Sequence, residues 1–220
     1  MRKKDQIAAA IKKVFPQLPF EPVHLDRFEL YLEQLERWNA KINLTAVTGF
    51  EALLEKHILD SLAGLEMARS QSILLHGKAI DLGSGAGLPG LIIAALFEQV
   101  EIDSIDGVGK KAAFQETLRL RMGLKSFAAH GCRYEEWVKG RQESYDFLFA
   151  RALASMPQLM PWARDFLKSG GEAWLWKGEL FEHEWAQVPG GLKENFTEPQ
   201  SFPYQINEYL GGRIIRLQKL

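Results

Sequence analysis

Cysteine, long apolar runs and clustered histidines are all scarce in this chain of 220 residues. Cys132 is the only cysteine, which excludes an internal disulfide framework and a CxxC metal site. The five histidines show no HExxH or HxH spacing, so we expect no metal site. Apolar runs stay short, as at Leu91–Leu96, and Met1–Asp5 lacks the apolar region of a signal peptide. We therefore expect a cytoplasmic protein that does not cross a membrane.

Charge is balanced overall but unevenly distributed. The chain is 46% hydrophobic and 25% charged, as globular proteins are, and its net charge of −1 gives no overall signature of nucleic-acid binding. Residues 1–13 and 107–125 each carry a net charge of +4, whereas residues 178–200 carry −4. The two basic segments can meet phosphates or can be ordinary solvated helix faces, and charge alone leaves both interpretations open.

The first 70 residues have the periodicity of helices. Apolar residues recur at three- and four-residue steps over 4–15 and 24–42, which predicts two amphipathic helices. The segment Thr48-Gly49-Phe50-Glu51 fits a capping box, so we expect a third helix from Thr48 to about Ala68. These helices predict an N-terminal cap over residues 1–70, packed on a core over residues 71–220 as one globular unit.

From residue 78 the pattern changes to short apolar runs that alternate with helical ones. This alternation predicts βαβ units and a parallel sheet. The expected strands cover residues 78–82, 101–106, 125–129, 145–150 and 172–177, followed by a hairpin over 202–206 and 213–217. We therefore predict an α/β fold with a doubly wound, Rossmann-like sheet, mostly parallel, with an antiparallel C-terminal hairpin at its edge. Ligands of such sheets bind at the carboxyl ends of the strands.

The most informative local motif is a glycine-rich loop between the first strand and the next helix. It contains Asp81-x-Gly83-x-Gly85-x-Gly87 and continues to Gly90. The last three glycines fit a dinucleotide fingerprint, whereas the frame that starts at Asp81 fits a loop that binds S-adenosylmethionine (SAM). A carboxylate beside a pyrophosphate is repulsive, but it attracts the cationic amino end of SAM, directly or through water. Asp81 therefore favours SAM over a nicotinamide cofactor, and a purely structural turn is the remaining alternative.

A second acidic residue supports an adenosine-containing cofactor. Asp106 ends the second predicted strand, where a carboxylate accepts hydrogen bonds from both ribose hydroxyls. NAD uses the same acid, so Asp106 does not separate the two cofactors, and with Gly107 it can instead start a turn. We expect the adenine near the loop Cys132–Glu136.

Three further motifs carry a resemblance to a known family. They are Trp38-Asn39-x-x-x-Asn43-Leu44-Thr45, Lys56-His57-Ile58-Leu59-Asp60-Ser61 and Ala150-Arg151-Ala152-Leu153-Ala154-Ser155. Together with the glycine loop, they make the chain resemble the RsmG (GidB) family of small-subunit rRNA guanine-N7 methyltransferases over nearly its whole length. The resemblance implies SAM as the cofactor and 16S rRNA or the small ribosomal subunit as the partner, with no metal and no membrane.

The resemblance also implies site residues. By family position, SAM contacts Gly83, Leu88, Tyr134, Glu135 and Arg151, in addition to Asp81, Gly85, Gly87 and Asp106 from the motifs above. His57, Arg151 and Lys177 match family positions that surround the catalytic pocket. Tyr134 departs from the small apolar residue expected there, and Gly107 departs from the usual serine.

The residues also limit the chemistry. No Asn/Asp-Pro-Pro-Tyr motif follows the fourth strand, which disfavours methylation of exocyclic amines, and Cys132 is expected at the adenine loop rather than beside the methyl group. A ring nitrogen or a hydroxyl remains as the acceptor. Guanine N7 carries no proton and needs no general base, and Arg151 can hold guanine O6 or a phosphate.

Each of these residues also has a structural interpretation. Arg151 can form an ion pair with Glu135 or Asp106, Lys177 can be a solvated strand end, and His57 can be an ordinary packed histidine. We expect Asn39, Asn43 and Thr45 to fix the loop of the cap. A nicotinamide-dependent oxidoreductase and a non-catalytic SAM or RNA binder are the alternative functions.

Overall fold

A computed structural model describes residues 2–220 and contains one seven-stranded sheet in the order β3-β2-β1-β4-β5-β7-β6. The strands are β1 (Gly77–Leu82), β2 (Val100–Ile105), β3 (Phe127–His130), β4 (Tyr145–Arg151), β5 (Leu167–Lys177), β6 (Gln200–Gln205) and β7 (Gly211–Gln218). Strands β1 to β5 pair in parallel, and β7 joins β5 antiparallel and carries β6 at the edge. The predicted fold class, including the C-terminal hairpin, is confirmed.

Helices cover both faces of this sheet. They are α1 (Lys3–Val14), α2 (Pro22–Ile42), α3 (Phe50–Leu53), α4 (Asp60–Ser70), α5 (Gly90–Leu96), α6 (Gly109–Met122), α7 (Tyr134–Trp137), α8 (Met156–Phe166), α9 (Phe181–Ala186) and α10 (Gly190–Lys193), with a π-helical segment Leu54–Leu59 that joins α3 to α4. The strand order reverses between β1 and β4, which places the ligand crevice of a doubly wound sheet at their carboxyl ends. Within residues 2–220, no helix is both long enough and apolar enough to cross a membrane.

The N-terminal helices pack directly on one face of the sheet. A single hydrophobic cluster contains Ile7, Phe28 and Leu62 from these helices together with Trp174 from β5. The contact is close at Gly64, where an added Cβ would lie 2.6 Å from the Trp176 ring. Since a larger side chain at Gly64 would push α4 away from β5, this glycine sets the distance between the cap and the sheet.

Two local predictions from the sequence were wrong. The capping box at Thr48 does not form, because the helix begins at Phe50 and its N-cap is Gly49, with φ of 87° and no side-chain cap bond. Strand β5 begins at Leu167 rather than at 172, and its pairing with β4 is irregular between Leu167 and Glu172, where Gly170 has φ of 80°.

Candidate active site

The glycine loop after β1 has the backbone that its sequence predicts. Gly83, Gly85 and Gly87 have φ values of 63°, 57° and 84°, which glycine adopts without steric cost. A Cβ at Gly83 would lie 2.2 Å from Leu153 Cδ1, whereas one at Gly85 would meet nothing within 4 Å. Gln115 of α6 fixes the loop by donating hydrogen bonds to Ser84 Oγ and to Gly85 O, at 2.8 and 2.9 Å.

Asp81 lies beneath this loop and is completely buried. Its Oδ2 accepts a hydrogen bond of 2.8 Å from the backbone N–H of Gly90, at the start of α5. Its Oδ1 is buried and has no hydrogen-bond partner among the described residues. Burial raises the pKa of this carboxyl to about 7. Asp81 therefore holds the start of α5 and keeps one unsatisfied acceptor.

A cavity of about 370 Å³ opens at the carboxyl ends of the first three strands, and we call it the β1–β3 cavity. Its lining includes Gly83, Cys132, Tyr134 and Glu135, all of which the sequence places near the cofactor. Trp162 of α8 also lines it, and its ring centroid lies 4.7 Å from that of Tyr134. The cavity therefore offers an aromatic wall beside a glycine backbone, which suits a flat apolar group.

Asp106 follows β2, lies against the glycine loop and is buried. Its Oδ2 accepts a hydrogen bond of 2.9 Å from Gly85 N–H, and its Oδ1 accepts one of 2.8 Å from Val108 N–H. A carboxylate oxygen has two lone pairs, so each oxygen retains one for a hydroxyl donor. Asp106 thus both starts the turn and remains able to bind a diol.

A second cavity of about 510 Å³, here the β4–β5 cavity, lies at the ends of those two strands. It is lined by charged and hydrogen-bonding side chains that include Asp60, Arg151, Lys177, Glu184 and Tyr204. Leu153 lines both this cavity and the β1–β3 cavity. The two cavities are therefore neighbours, separated by the loop that follows β4.

Arg151 is hydrogen-bonded to the N-terminal cap rather than to the glycine loop. Its Nη1 donates hydrogen bonds of 2.6 Å to Asp60 Oδ2 and to the backbone oxygen of Lys56. Tyr204 from β6 donates to the other oxygen of the same carboxylate. The alternative of an ion pair with Glu135 or Asp106 is therefore wrong, and Asp60 is the partner instead.

Comparison with known proteins assigns this arrangement to a family. The model of the GidB family, described as rRNA small subunit methyltransferase G, matches residues 24–208. The chain belongs to this family. Two relatives named ribosomal RNA small subunit methyltransferase G are similar: the protein of Syntrophotalea carbinolica is 38% identical over 80% of this chain and 80% of its own, and that of Halorhodospira halophila is 34% identical over 81% of each.

Solved structures show the same fold at low sequence identity. TrmN from Thermus thermophilus is 17% identical, with a TM-score of 0.54, over 76% of this chain and 53% of its own. A mutant of MtNAS in complex with S-adenosylmethionine is 13% identical, with a TM-score of 0.59, over 90% of this chain and 77% of its own. Like other GidB proteins, this chain is a SAM-dependent methyltransferase, which decides against the nicotinamide-dependent oxidoreductase and the non-catalytic binder.

The residues of this GidB chain fit SAM. The unsatisfied Oδ1 of Asp81 suits a cationic amino group or a water molecule bound to it, and Asp106 has lone pairs for the ribose. Asp81 lines neither cavity, so its reach to the cofactor stays a prediction. The same holds for four other expected contacts, because these residues line neither cavity: Gly85, Gly87, Leu88 and Asp106.

His57 lies behind Arg151 and is buried. Its Nδ1 lies 3.5 Å from Arg151 Nη2, and its Nε2 lies 3.2 Å from Thr45 Oγ1. Burial, and secondly the Arg151 guanidinium, lowers the pKa of His57 to about 4, so the ring is neutral at pH 7. His57 therefore supplies no positive charge and does not line either cavity.

The loop that reaches His57 is fixed by the residues that the sequence indicates. Asn39 exchanges two hydrogen bonds with the backbone of Thr45, at 2.8 and 2.9 Å. Asn43 ends α2 in the left-handed region, with φ of 49°. The expected structural role, through hydrogen bonds from side chain to backbone, is confirmed for Asn39 and for Thr45, whose Oγ1 accepts one of 3.1 Å from Val47 N–H. Asn43 contributes through its backbone conformation instead.

Lys177 is paired and is not a solvated strand end. Its Nζ donates hydrogen bonds of 2.7 Å to Glu184 Oε2 and to the backbone oxygen of Ala154, and its side chain is only 9% exposed. No motif marks Glu184 in the sequence beyond its place in an acidic segment, whereas Asp60 lies in the motif that also contains His57. Within residues 2–220, no group of three or more histidines, cysteines or acids is placed to hold a metal ion.

Proposed function

We propose that this methyltransferase acts on 16S rRNA of the small ribosomal subunit and methylates N7 of one guanine in the decoding-region loop. Family membership supports the substrate, and the relatives' names refer to small-subunit rRNA. The observation that carries the proposal is the pair of neighbouring cavities that share Leu153. One suits the nucleoside of SAM, and the other presents paired hydrogen-bonding side chains to a polar base.

The chemistry needs positioning rather than proton transfer. Bound SAM supplies an electrophilic methyl group on a sulfonium. Guanine N7 attacks with its own lone pair, so this chain does not have to provide a general base, which agrees with a neutral, buried His57. The residues around the β4–β5 cavity act by fixing the base in line with the methyl group, and such alignment supplies a large part of the rate.

Most of the candidate residues have a proposed role in this scheme. Asp106 binds the ribose hydroxyls, Gly83, Tyr134 and Glu135 line the adenosine side, and the glycines at 85 and 87 shape the loop. Arg151 presents its guanidinium to the RNA with its orientation set by Asp60, and His57 supports it from behind.

The RNA outside the cavity meets basic residues of α6. This helix begins at Gly109, directly after Val108 at the mouth of the β1–β3 cavity. Lys110 and Arg121 are exposed on it, whereas Arg119 is paired with Glu116. Phosphate contacts are electrostatic and weaken with salt. We therefore expect α6 to hold the strand that flanks the target base.

Transfer of labelled methyl groups tests the proposal. The protein is incubated with SAM labelled in the methyl group and with 16S rRNA that lacks the modification, both free and in small subunits. The RNA is then digested to nucleosides. Label in 7-methylguanosine is the expected result. Label in another nucleoside, or no label at any salt concentration while SAM binds normally, contradicts the proposed substrate.

A further inference from the structure

The Lys177–Glu184 pair leaves one donor and one acceptor uncommitted. Glu184 Oε2 accepts hydrogen bonds from Lys177 Nζ at 2.7 Å and from Met156 N–H at 2.9 Å. Glu184 Oε1 has no hydrogen-bond partner within residues 2–220, and its side chain is 25% exposed. An ammonium group has three N–H donors, and Lys177 uses two of them, on Glu184 and on Ala154. Both side chains line the β4–β5 cavity.

A donor beside an acceptor is complementary to one edge of guanine. Guanine presents the acceptor O6 next to the donor N1–H, whereas adenine presents a donor at position 6 next to an acceptor at N1. Lys177 can donate to O6 of guanine while Glu184 accepts from its N1–H. With adenine, the Lys177 ammonium would face the 6-amino donor, and the Glu184 carboxylate would face the lone pair of N1. Such mismatches leave buried polar groups unpaired, which is the strongest form of discrimination.

We propose that Lys177 and Glu184 together read O6 and N1–H of the target guanine, with Glu184 as a specificity-determining residue. This inference rests on the proposed function and names the contacts that select its base. N7 lies on the opposite side of O6 from N1, so a base held in this way leaves N7 uncovered.

The other carboxylate of the cavity does not serve this purpose. Asp60 accepts from Arg151 with one oxygen and from Tyr204 with the other. Each of its oxygens therefore already has a partner, whereas Glu184 Oε1 has none within residues 2–220. Glu184 is anchored through Oε2 alone, at the start of α8 and at the end of β5. The pair is therefore preorganised, and it keeps Oε1 for a ligand.

Two base analogues test whether the Lys177–Glu184 pair selects guanine by hydrogen bonding or whether the cavity selects it by shape alone. Inosine at the target position keeps O6, N1–H and N7 but lacks the 2-amino group. 2-Aminopurine keeps the 2-amino group and N7 but lacks both O6 and N1–H, and it adds no bulk. With the wild-type protein and labelled SAM, we expect RNA containing inosine to be methylated within about tenfold of guanosine RNA, and 2-aminopurine RNA at least about 100-fold more slowly. Methylation of 2-aminopurine RNA as fast as inosine RNA, or faster, overturns the inference.

A substitution provides a second, independent test. Glu184→Gln keeps the size and one acceptor for Lys177 but can present an N–H₂ donor to the base. We expect kcat/KM on guanosine RNA to fall about 30-fold with SAM affinity unchanged by calorimetry, while the preference for guanosine over 2-aminopurine narrows, since the new donor can reach N1 of 2-aminopurine. The exposed Glu179→Gln is the matched control and should change neither value.

The outcomes distinguish a failure of this inference from a failure of the proposed function on which it rests. If Glu184→Gln lowers turnover on both RNAs by the same factor, the residue is structural and the inference is wrong. If the wild-type protein binds SAM but methylates no guanosine RNA, the proposed function is wrong, and the inference that rests on it is overturned with it.

Discussion

The buried carboxyl of Asp81 makes a quantitative prediction about stability and pH. Its pKa is raised from 3.8 to about 7 because burial disfavours the charged form. A carboxyl with a raised pKa in the folded state contributes stability that is complete below the unfolded pKa and is lost as pH rises toward the folded one. The loss therefore falls between about pH 4 and pH 7. Three pKa units correspond to roughly 4 kcal/mol, as an upper limit.

Asp81→Asn removes this titration and keeps an acceptor for Gly90 N–H. We expect the free energy of unfolding of the variant, relative to wild type, to rise by roughly 3 kcal/mol between pH 4.5 and pH 8, because only wild type must ionise a buried group. Denaturant unfolding of both proteins without SAM at the two pH values measures this difference. The exposed Glu208→Gln is the control and should show no such change.

The same variant should bind SAM at least about tenfold more weakly, because the cationic amino group loses a charged partner. The expected combination is a free energy of unfolding that rises with pH relative to wild type, together with a lower affinity for SAM. A stability difference that does not vary with pH would refute the reasoning about burial, and unchanged SAM affinity would refute the role in cofactor binding.

Three further predictions follow from the geometry. Gly83→Ala should cost about 3 kcal/mol of unfolding free energy, from its positive φ and the contact with Leu153, whereas Gly85→Ala, with open space around it, should cost only about 1 to 2; equal costs would contradict this. Asp60→Asn should lower kcat/KM by about 10- to 100-fold with SAM affinity unchanged in calorimetry, and a parallel loss of SAM binding would argue against positioning. At saturating SAM, His57→Gln should leave the shape of the pH profile of turnover unchanged, because the His57 ring is already neutral; a step near pH 6.5 that disappears in His57→Gln would disprove a neutral His57.

The sequence predicted the sheet well because its signals are local. Alternating apolar runs and the φ requirements of Gly83, Gly85 and Gly87 depend on neighbouring residues, and the structure has them as expected. The capping box at Thr48 failed because the choice of N-cap depends on the backbone of Gly49, and a threonine-to-glutamate spacing does not specify that backbone. The irregular pairing around Gly170 is a similar case, since a glycine pair fits both a turn before a strand and an irregular segment within one.

The candidate site was predictable only in part. Asp106, Arg151 and Lys177 stand at strand ends, and parallel strands bring their carboxyl ends together. The partners of Arg151 and Lys177 were not predictable. The sequence does not show how the helix that begins at Asp60 packs against the end of β4, or how α9 folds back so that Glu184 meets the end of β5. The π-helical segment before Asp60 also has no distinctive sequence signal, although such segments are frequent at functional sites.

The most direct test of the central claim is nucleoside mass spectrometry of 16S rRNA from cells with and without this chain. We predict that 7-methylguanosine is missing from the 16S rRNA of cells without it. The wild-type chain should restore it, and a Lys177→Ala chain of equal abundance should not. An unchanged amount of 7-methylguanosine in cells that lack the chain would contradict guanine-N7 methylation as its function.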